Sequence, residues 1–271
     1  MLDDFTFGQF FPMNSVIHAI DARVKLVLTV YFLVLIFCAK NFASLCLLAV
    51  FILTILLLSK IPLRMYLKNL KFILPIILIT AVINLFYISG GNLIFEFWII
   101  KITDIGLKRS VFMALRVVLL ILVSAVLTYT TSANDITDGL DRLFSPLKFV
   151  GLGTAVHTMT MMMTIALRFI PTLVEETQKI MNAQKARGAD FESGGLMQKV
   201  KAVIPILIPL LISSVRRAYD LAEAMESRCY NGGEGKTHLK VFSLRTLDFV
   251  TILFSILILA GVILLNIFAA V

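Results

Sequence analysis

The segment LDFVTILFSILILAGVILLNIFAA, residues 247–270, holds one charged residue, Asp248, in 24 positions. At a rise of about 1.5 Å per residue, a helix of this length crosses a hydrocarbon core of about 30 Å. The composition agrees, because 59% of the 271 residues are hydrophobic and 15% are charged, whereas soluble domains are roughly 45–50% apolar. Four further apolar segments lie at 24–39, 42–59, 72–89 and 111–130. The sequence therefore predicts an all-α, polytopic membrane protein with about five transmembrane helices and argues against a soluble domain.

Basic residues beside the spans predict the orientation of the chain, because lysine and arginine concentrate on the cytoplasmic side. Arg23 and Lys25 lie at the start of the first span, and the connection at 60–71 carries four basic residues. The turn between the first two spans carries only Lys40. This pattern predicts a cytoplasmic N-terminus, an external loop at 90–110 and an external C-terminus.

Between the fourth and fifth spans the chain becomes amphipathic, with charged residues returning among apolar ones. The first helix of this region is predicted to begin at Ser132, whose hydroxyl precedes Asp135 by three residues as in a capping box. Pro146 marks its end. The predicted organisation is thus four spans in residues 1–131, a cytoplasmic or interfacial domain of amphipathic helices in 132–245, and a last span in 246–271.

Two longer helical patterns follow within this region, at 154–188 and 194–230. The first begins with twenty largely apolar residues, but Arg168 and Pro171 interrupt them, and a charge at the bilayer centre costs at least ~2.5 kcal/mol. We therefore expect a long interfacial helix. The second has an uncharged run only from 202 to 215, with Pro205 and Pro209 inside it, and this run is too short to cross a membrane. We therefore expect a bent helix that lies against other helices.

Both long helices end in an exposed arginine, and we call Arg187 and Arg228 the arginine tips. Gly188 follows the first tip directly, and Asn231-Gly232 follows the second by three residues. Glycine and asparagine adopt the left-handed conformation that ends helices. A guanidinium at a helix C-terminus is favoured by the helix dipole and can pair bidentately with a carboxylate of a partner.

Other candidate chemistry is weak. The cysteines and histidines are scattered, without the spacing of a disulfide framework or a metal site. GEGKT at 233–237 resembles the end of a phosphate-binding loop, but the motif needs glycine where Tyr230 stands. His18, Asp21 and Arg23 come nearest to a catalytic set and fit more easily as structure beside a span. We expect no cofactor, metal or nucleotide site, and no enzymatic activity.

Several stretches resemble one family of membrane proteins. ARG at 186–188 and SRC at 227–229 look like the paired alanine-arginine-glycine signature of the transmembrane (T) component of energy-coupling factor transporters. HAIDARVKL at 18–26 resembles that family's motif before the first span, and residues 166–195 resemble its most specific block. The resemblance covers essentially the whole chain, and SRC departs from the signature on both sides of Arg228.

The resemblance implies a subunit of an ATP-driven importer in a bacterial or archaeal cell membrane. Its expected partners are two cytoplasmic ABC ATPase subunits and a small membrane subunit that binds a vitamin or other micronutrient. That substrate-binding subunit is either dedicated or one of several interchangeable ones; lipid is the other expected contact, and nucleic acid is not. The residues that the resemblance assigns to ATPase coupling are Arg187, Arg228, Ala186, Gly188 and Ser227.

Further features leave alternatives open. The methionine segment, Met159, Met161, Met162 and Met163, offers an adaptable surface for the substrate-binding subunit, because thioether side chains repack easily; ordinary core or lipid-facing methionines are the other interpretation. Arg116 inside the fourth span is either a functional charge or one that snorkels to the interface. A secondary transporter and a membrane scaffold without motion are the alternative functions.

Overall fold

The computed structural model describes residues 10–87, 93–97, 100–146, 153–189, 195–231 and 245–268. Over these ranges the chain is almost entirely helical, with one short β-hairpin. In chain order the elements are α1 (Val16–Ala19), α2 (Ala22–Cys38), α3 (Phe42–Leu58), α4 (Leu63–Tyr87), β1 (Leu93–Phe97), β2 (Ile100–Thr103), α5 (Asp104–Thr130), α6 (Ala133–Leu143), α7 (Gly153–Ala186), α8 (Leu196–Glu226) and α9 (Thr246–Phe268).

Over the described residues, each predicted span falls on a helix, although α2, which carries the first of them, is not among the candidate spans. Within the described ranges, four helices are long and apolar enough to cross a membrane by length and composition: Leu63–Phe86, Asp104–Thr130, Val200–Glu226 and Thr246–Phe268. The shorter α3 is apolar over its 17 residues. The prediction of an all-α, polytopic membrane protein is confirmed. α4 and α5 begin before their apolar runs, because helical turns outside the hydrocarbon core need no apolar side chains.

α8 falls within the predicted helical pattern at 194–230, but the expectation that it is too short to cross a membrane is not met. Its uncharged run predicts a helix too short to cross a membrane, yet the stretch Val200–Glu226 satisfies the criteria for a span. The difference arises because a spanning helix tolerates charges near its ends, where long side chains reach the interface. The interfacial position of α7 and the placement of α8 against other helices stay predictions.

The connection before α5 contains structure that the sequence pattern does not indicate. β1 and β2 pair in antiparallel fashion, with Glu96 opposite Lys101 and Phe97 opposite Ile100. The hairpin leads directly into α5, whose first turn is capped by the Thr103 hydroxyl accepting from the backbone N–H of Gly106 at 3.2 Å.

The chain divides into two compact units, with the boundary inside α6 after Ile136. One unit holds α1 to α5, the hairpin and α9, and the other holds α7 and α8. α6 starts as predicted, because the Ser132 hydroxyl accepts from the backbone N–H of Asp135 at 3.1 Å. The same hydroxyl donates to the Asp135 carboxylate at 2.8 Å.

The core of the first unit is centred on α3. Leu45, Leu48 and Ile52 follow helical spacing and are buried, while Val50 and Leu53 on the other side are exposed. A soluble protein would place polar residues on the exposed side. Apolar residues on both faces fit a helix that packs inward on other helices and outward on lipid.

At one end of this unit the HAIDARVKL stretch ties three helices together. The Asp21 carboxylate caps α2 by accepting from the backbone N–H of Arg23 at 2.9 Å. Its own backbone N–H donates to the buried carboxylate of Asp248, at the start of α9, at 3.0 Å. Lys25 Nζ donates to the carbonyl of Thr130, at the end of α5, at 3.0 Å. We call this set the polar junction, and it gives the motif a structural role.

His18 belongs to the same end of the unit and is held on both ring nitrogens. Nδ1 lies 2.7 Å from the Ser15 hydroxyl, and Nε2 lies 2.9 Å from the carbonyl oxygen of Phe11. Burial lowers the pKa of His18, and the nearby Lys25 ammonium acts in the same direction. Asp21 and Arg23 form an ion pair with each other. The three residues that come nearest to a catalytic set in the sequence are therefore all engaged in structural contacts.

Arg116 is bound to the end of α2. One guanidinium nitrogen donates to the carbonyl of Ala39 at 2.5 Å, and the group lies 4.8 Å from the ring centroid of Phe112. Ala39 is the C-cap residue of α2, and helix C-termini attract cations. The contact favours a helix-capping role over both interpretations drawn from the sequence.

Candidate functional site

α7 and α8 are long helices with little burial. α7 runs for 34 residues and continues through Pro171, and none of its residues is buried. α8 runs for 31 residues and continues through Pro205 and Pro209. Among the α8 side chains that the structure describes, Ile206 is buried. Surfaces this open are available to partner chains.

The end of α7 at the first arginine tip has the geometry of a Schellman motif. Gly188 is left-handed, with φ of +87°, and its N–H donates to the carbonyl of Lys185 at 3.0 Å. The N–H of Ala189 donates back to the carbonyl of Gln184, also at 3.0 Å. Arg187 is therefore the C-cap residue, as its glycine neighbour predicts.

The end of α8 at the second tip has the same geometry. Cys229 is left-handed, with φ of 56°, and its N–H donates to the carbonyl of Glu226 at 2.9 Å. The N–H of Tyr230 donates to the carbonyl of Met225 at 3.1 Å. Arg228 is thus a C-cap residue in the same position as the first tip.

This geometry corrects the predicted end of α8. The left-handed residue is Cys229, whereas the sequence pattern predicts Asn231-Gly232. The helix ends at Glu226, so the position that must turn left-handed falls on a cysteine. A side chain there costs roughly 1–2 kcal/mol relative to glycine. Asn231 has no positive φ, and Gly232 lies outside the described residues, as does GEGKT at 233–237.

All five residues assigned to coupling lie at these two ends. Ala186 is the last residue of α7, and Arg187 and Gly188 form the turn after it. Ser227 precedes Arg228 and is bonded back to the last turn of α8 through its hydroxyl and its N–H. All five are exposed, so both guanidinium groups are accessible to a partner.

A polar contact joins α7 to α8 near their midpoints. The Ser213 hydroxyl donates to one carboxylate oxygen of Glu176 at 2.7 Å, and the Arg217 guanidinium donates to the other. These hydrogen bonds, first that of Ser213 and then that of Arg217, lower the pKa of Glu176. We call the three side chains the clamp. The sequence analysis did not predict the clamp. The feature that could have indicated it is two pairs of adjacent charged residues, one acidic and one basic, Glu175-Glu176 and Arg216-Arg217.

The two helices form an antiparallel pair. The Tyr230 hydroxyl, just beyond the end of α8, donates to the sulfur of Met161 in the first half of α7 at 2.8 Å. Together with the clamp, this contact places Arg187 and Arg228 at opposite ends of the pair. The other residues of the methionine segment, Met159, Met162 and Met163, are exposed. The methionine segment therefore lies at the Arg228 end, an arrangement that the sequence does not indicate.

The left-handed residues of the two caps predict opposite changes in stability, because one is replaced by glycine and the other is a glycine that is replaced. Cys229→Gly should raise the free energy of unfolding of the α8 end by about 1 kcal/mol, because glycine adopts positive φ freely. Gly188→Ala should lower that of the α7 end by about 1–2 kcal/mol. That cost is backbone strain alone, because an added Cβ meets nothing within 4 Å.

Hydrogen exchange of the amides at 185–189 and 226–230 in purified protein measures both effects. The two variants serve as each other's controls, since each leaves the other cap unchanged. Faster exchange around residue 229 in Cys229→Gly would contradict the assignment of this residue as the strained cap.

Comparison with known proteins gives one consistent answer. Residues 13–239 match the family described as "Cobalt transport protein". The chain is 47% identical to the energy-coupling factor transporter transmembrane protein EcfT of Clostridium kluyveri over 251 residues, 92% of each chain. It is 43% identical to EcfT of Bacillus subtilis over 237 residues, 88% of this chain and 89% of the other. The chain therefore belongs to the family of transmembrane proteins of energy-coupling factor transporters.

Proposed function

We propose that this protein is the coupling subunit of an ATP-driven importer for a vitamin or other micronutrient. Residues 132–245 would form its cytoplasmic coupling domain, with the N-terminus on the same side and the C-terminus outside. Each arginine tip would bind one of two ABC ATPase subunits. The observation that carries the proposal is that Arg187 and Arg228 end their helices in the same cap geometry despite different flanking residues.

The chemistry of the tips suits a contact that must withstand force. Each guanidinium sits at the C-terminal end of a helix, where the dipole favours a cation. Its planar donors match a carboxylate in a partner's groove with two parallel hydrogen bonds. A long helix behind each tip, 34 residues in α7 and 31 in α8, would carry displacement away from the ATPases.

The remaining open surface of this unit suits the substrate-binding membrane subunit. An exposed apolar stripe on α8 recurs at helical spacing, and the methionine segment adds apolar surface on α7. Apolar patches this long mark protein or lipid contact sites. The residues of the stripe include Ile204, Leu207, Ile208, Leu211 and Val215.

Arg116 bears on the alternative of a secondary transporter. Such a protein would bind its substrate or coupling ion near the membrane midplane through polar groups. The Arg116 guanidinium instead donates a hydrogen bond to the carbonyl of Ala39. The charge in the spans that could have bound a substrate or ion therefore already has a structural partner.

Affinity purification of the chain from its own cells in mild detergent tests the proposal, with mass spectrometry of the proteins that accompany it. We expect ABC ATPases and a small hydrophobic protein in near-stoichiometric amounts. An unrelated polytopic protein carrying the same tag is the control. Recovery of the chain without ATPases would contradict the proposal.

The methionine segment predicts partner-dependent effects where several substrate-binding subunits share this protein. Replacing Met159, Met161, Met162 and Met163 by isoleucine keeps the surface apolar but removes its adaptability, because β-branched side chains have restricted rotamers. We expect binding of some subunits to fall about ten-fold, or about 1.4 kcal/mol, while others change little. Competitive copurification of tagged subunits measures this. A uniform change across subunits would argue against an adaptable surface.

A further inference from the structure

The clamp lies midway between the two arginine tips. Glu176 precedes Arg187 by 11 residues, and Arg217 precedes Arg228 by 11 residues. At about 1.5 Å per residue, each tip stands roughly 16 Å of helix beyond the clamp. Because the helices are antiparallel, these two lengths extend in opposite directions from one point.

The clamp also occupies equivalent positions of the two helices. The same offset of 41 residues relates Arg187 to Arg228, Gly188 to Cys229, and Glu176 to Arg217. When two similar elements are related by a two-fold axis, equivalent residues contact each other only close to that axis. Contact between Glu176 and its own equivalent therefore marks a local pseudo-two-fold axis of the pair.

We propose that Glu176, Ser213 and Arg217 are positioning residues that fix the register of α7 on α8, so that displacement of one arginine tip is transmitted to the other. Its consequence for transport rests on the proposed function. The register itself is a property of this chain alone.

The clamp is suited to this role because it supplies directional hydrogen bonds between two helices that bury little of their surface in the described part of the chain. No residue of α7 is buried, and apolar contacts allow two helices to slide past each other more readily than directional hydrogen bonds do. Ser213 and Arg217 lie one turn apart on the same face of α8 and hold both oxygens of one carboxylate. Glu176 and Arg217 keep 24% and 38% of their side-chain surface exposed, so the pair does not carry the desolvation penalty of a fully buried ion pair.

Distances between spin labels near the tips of the full-length chain test the register directly. The background carries Cys38→Ser, Cys46→Ser and Cys229→Gly, and the labels are placed at Lys185→Cys and Glu226→Cys. We expect one narrow distance distribution, which Glu176→Gln with Arg217→Met widens about two-fold by removing the charge-assisted contact. Glu175→Gln with Arg216→Met, at exposed neighbouring positions, is the matched control and should leave the width unchanged.

The charge exchange Glu176→Arg with Arg217→Glu separates the clamp from general damage to the fold. It retains an ion pair at the same place, so we expect it to restore most of the narrow distribution. A clamp variant as narrow as the unmodified background would overturn the proposal. So would equal widening by the neighbouring control pair.

A second readout connects the register to transport. In the assembled complex, Glu176→Gln with Arg217→Met should leave the amount of bound ATPase unchanged, because the tips are intact, but lower uptake per ATP hydrolysed about ten-fold. Unchanged uptake per ATP would overturn the transmission role. If the unmodified chain binds no ATPase, the proposed function fails, while the label distances still decide whether the clamp fixes the register.

Discussion

Reversing both arginine tips, with Arg187→Glu and Arg228→Glu, should strip the ATPase subunits from the purified protein. Each substitution would turn the proposed charge-assisted pair with an ATPase carboxylate into a contact between like charges, which costs about 2–5 kcal/mol. That loss is roughly 30-fold or more in affinity at each tip. Single reversals should lose one ATPase contact each, and the double reversal should lose both. Quantitative mass spectrometry of copurified ATPases measures the result.

Neighbouring charges provide the matched control for this prediction. Lys185→Glu with Glu226→Lys changes two exposed charges beside the tips but leaves both arginines in place. We expect at most a two-fold effect, because exposed charges contribute about 0–1 kcal/mol. ATPase loss in this control that equals the loss in the arginine reversal would show that general electrostatics, and not the tips, holds the ATPases.

Asp248→Ala should destabilise the unit that holds α1 to α5 and α9 by about 2–4 kcal/mol, because it leaves two backbone N–H donors without their acceptor. One carboxylate oxygen accepts from the N–H of Asp21 at 3.0 Å, and the other accepts from the N–H of Arg245 at 2.7 Å. The side chain is almost completely buried, at 1% exposure, so water cannot readily replace it. Denaturant unfolding of the purified protein in detergent measures the change.

Asp104 in the first turn of α5 is the control for Asp248. It forms an exposed ion pair with Lys108 at 2.9 Å, and such pairs contribute about 0.3–0.5 kcal/mol. We therefore expect a small loss of stability from Asp104→Ala. Asp248→Asn keeps one acceptor and should fall between the two alanine variants. Equal stability of Asp248→Ala and the unmodified protein would refute the structural role of the polar junction.

The spans could be predicted from sequence because crossing a bilayer imposes a local requirement, an apolar run of sufficient length. The start of α6 was also predictable, since Ser132 and Asp135 cap it within one turn. The antiparallel pairing of α7 with α8 depends on contacts between distant residues, which no local pattern specifies. The sequence prediction that α8 is too short to span differs from its candidate span at Val200–Glu226, because the charges near the helix end were counted as breaks in a span.

At the site, the sequence pattern predicts both arginine tips at helix ends but does not indicate the clamp. Glycine favours the left-handed conformation that Gly188 adopts, so this position could be predicted. Cys229 adopts the same conformation although cysteine does not favour it. The sequence pattern does not indicate the clamp, because two adjacent charged residues are common on exposed helices. Only the pairing of α7 with α8 shows that one member of each such pair, Glu176 and Arg217, faces the other.

The distance between the arginine tips in the assembled complex, measured with and without ATP, tests most directly whether this protein couples ATPase movement to transport. Spin labels at residues 185 and 226 report it in the complex with its ATPases. We expect this distance to shift by several ångströms when ATP closes the ATPase pair and to return after hydrolysis, because the clamp holds the helices against sliding at one point and leaves the angle between them free to change. An unchanged distance in a complex that still hydrolyses ATP would contradict coupling and identify the chain as a scaffold without motion.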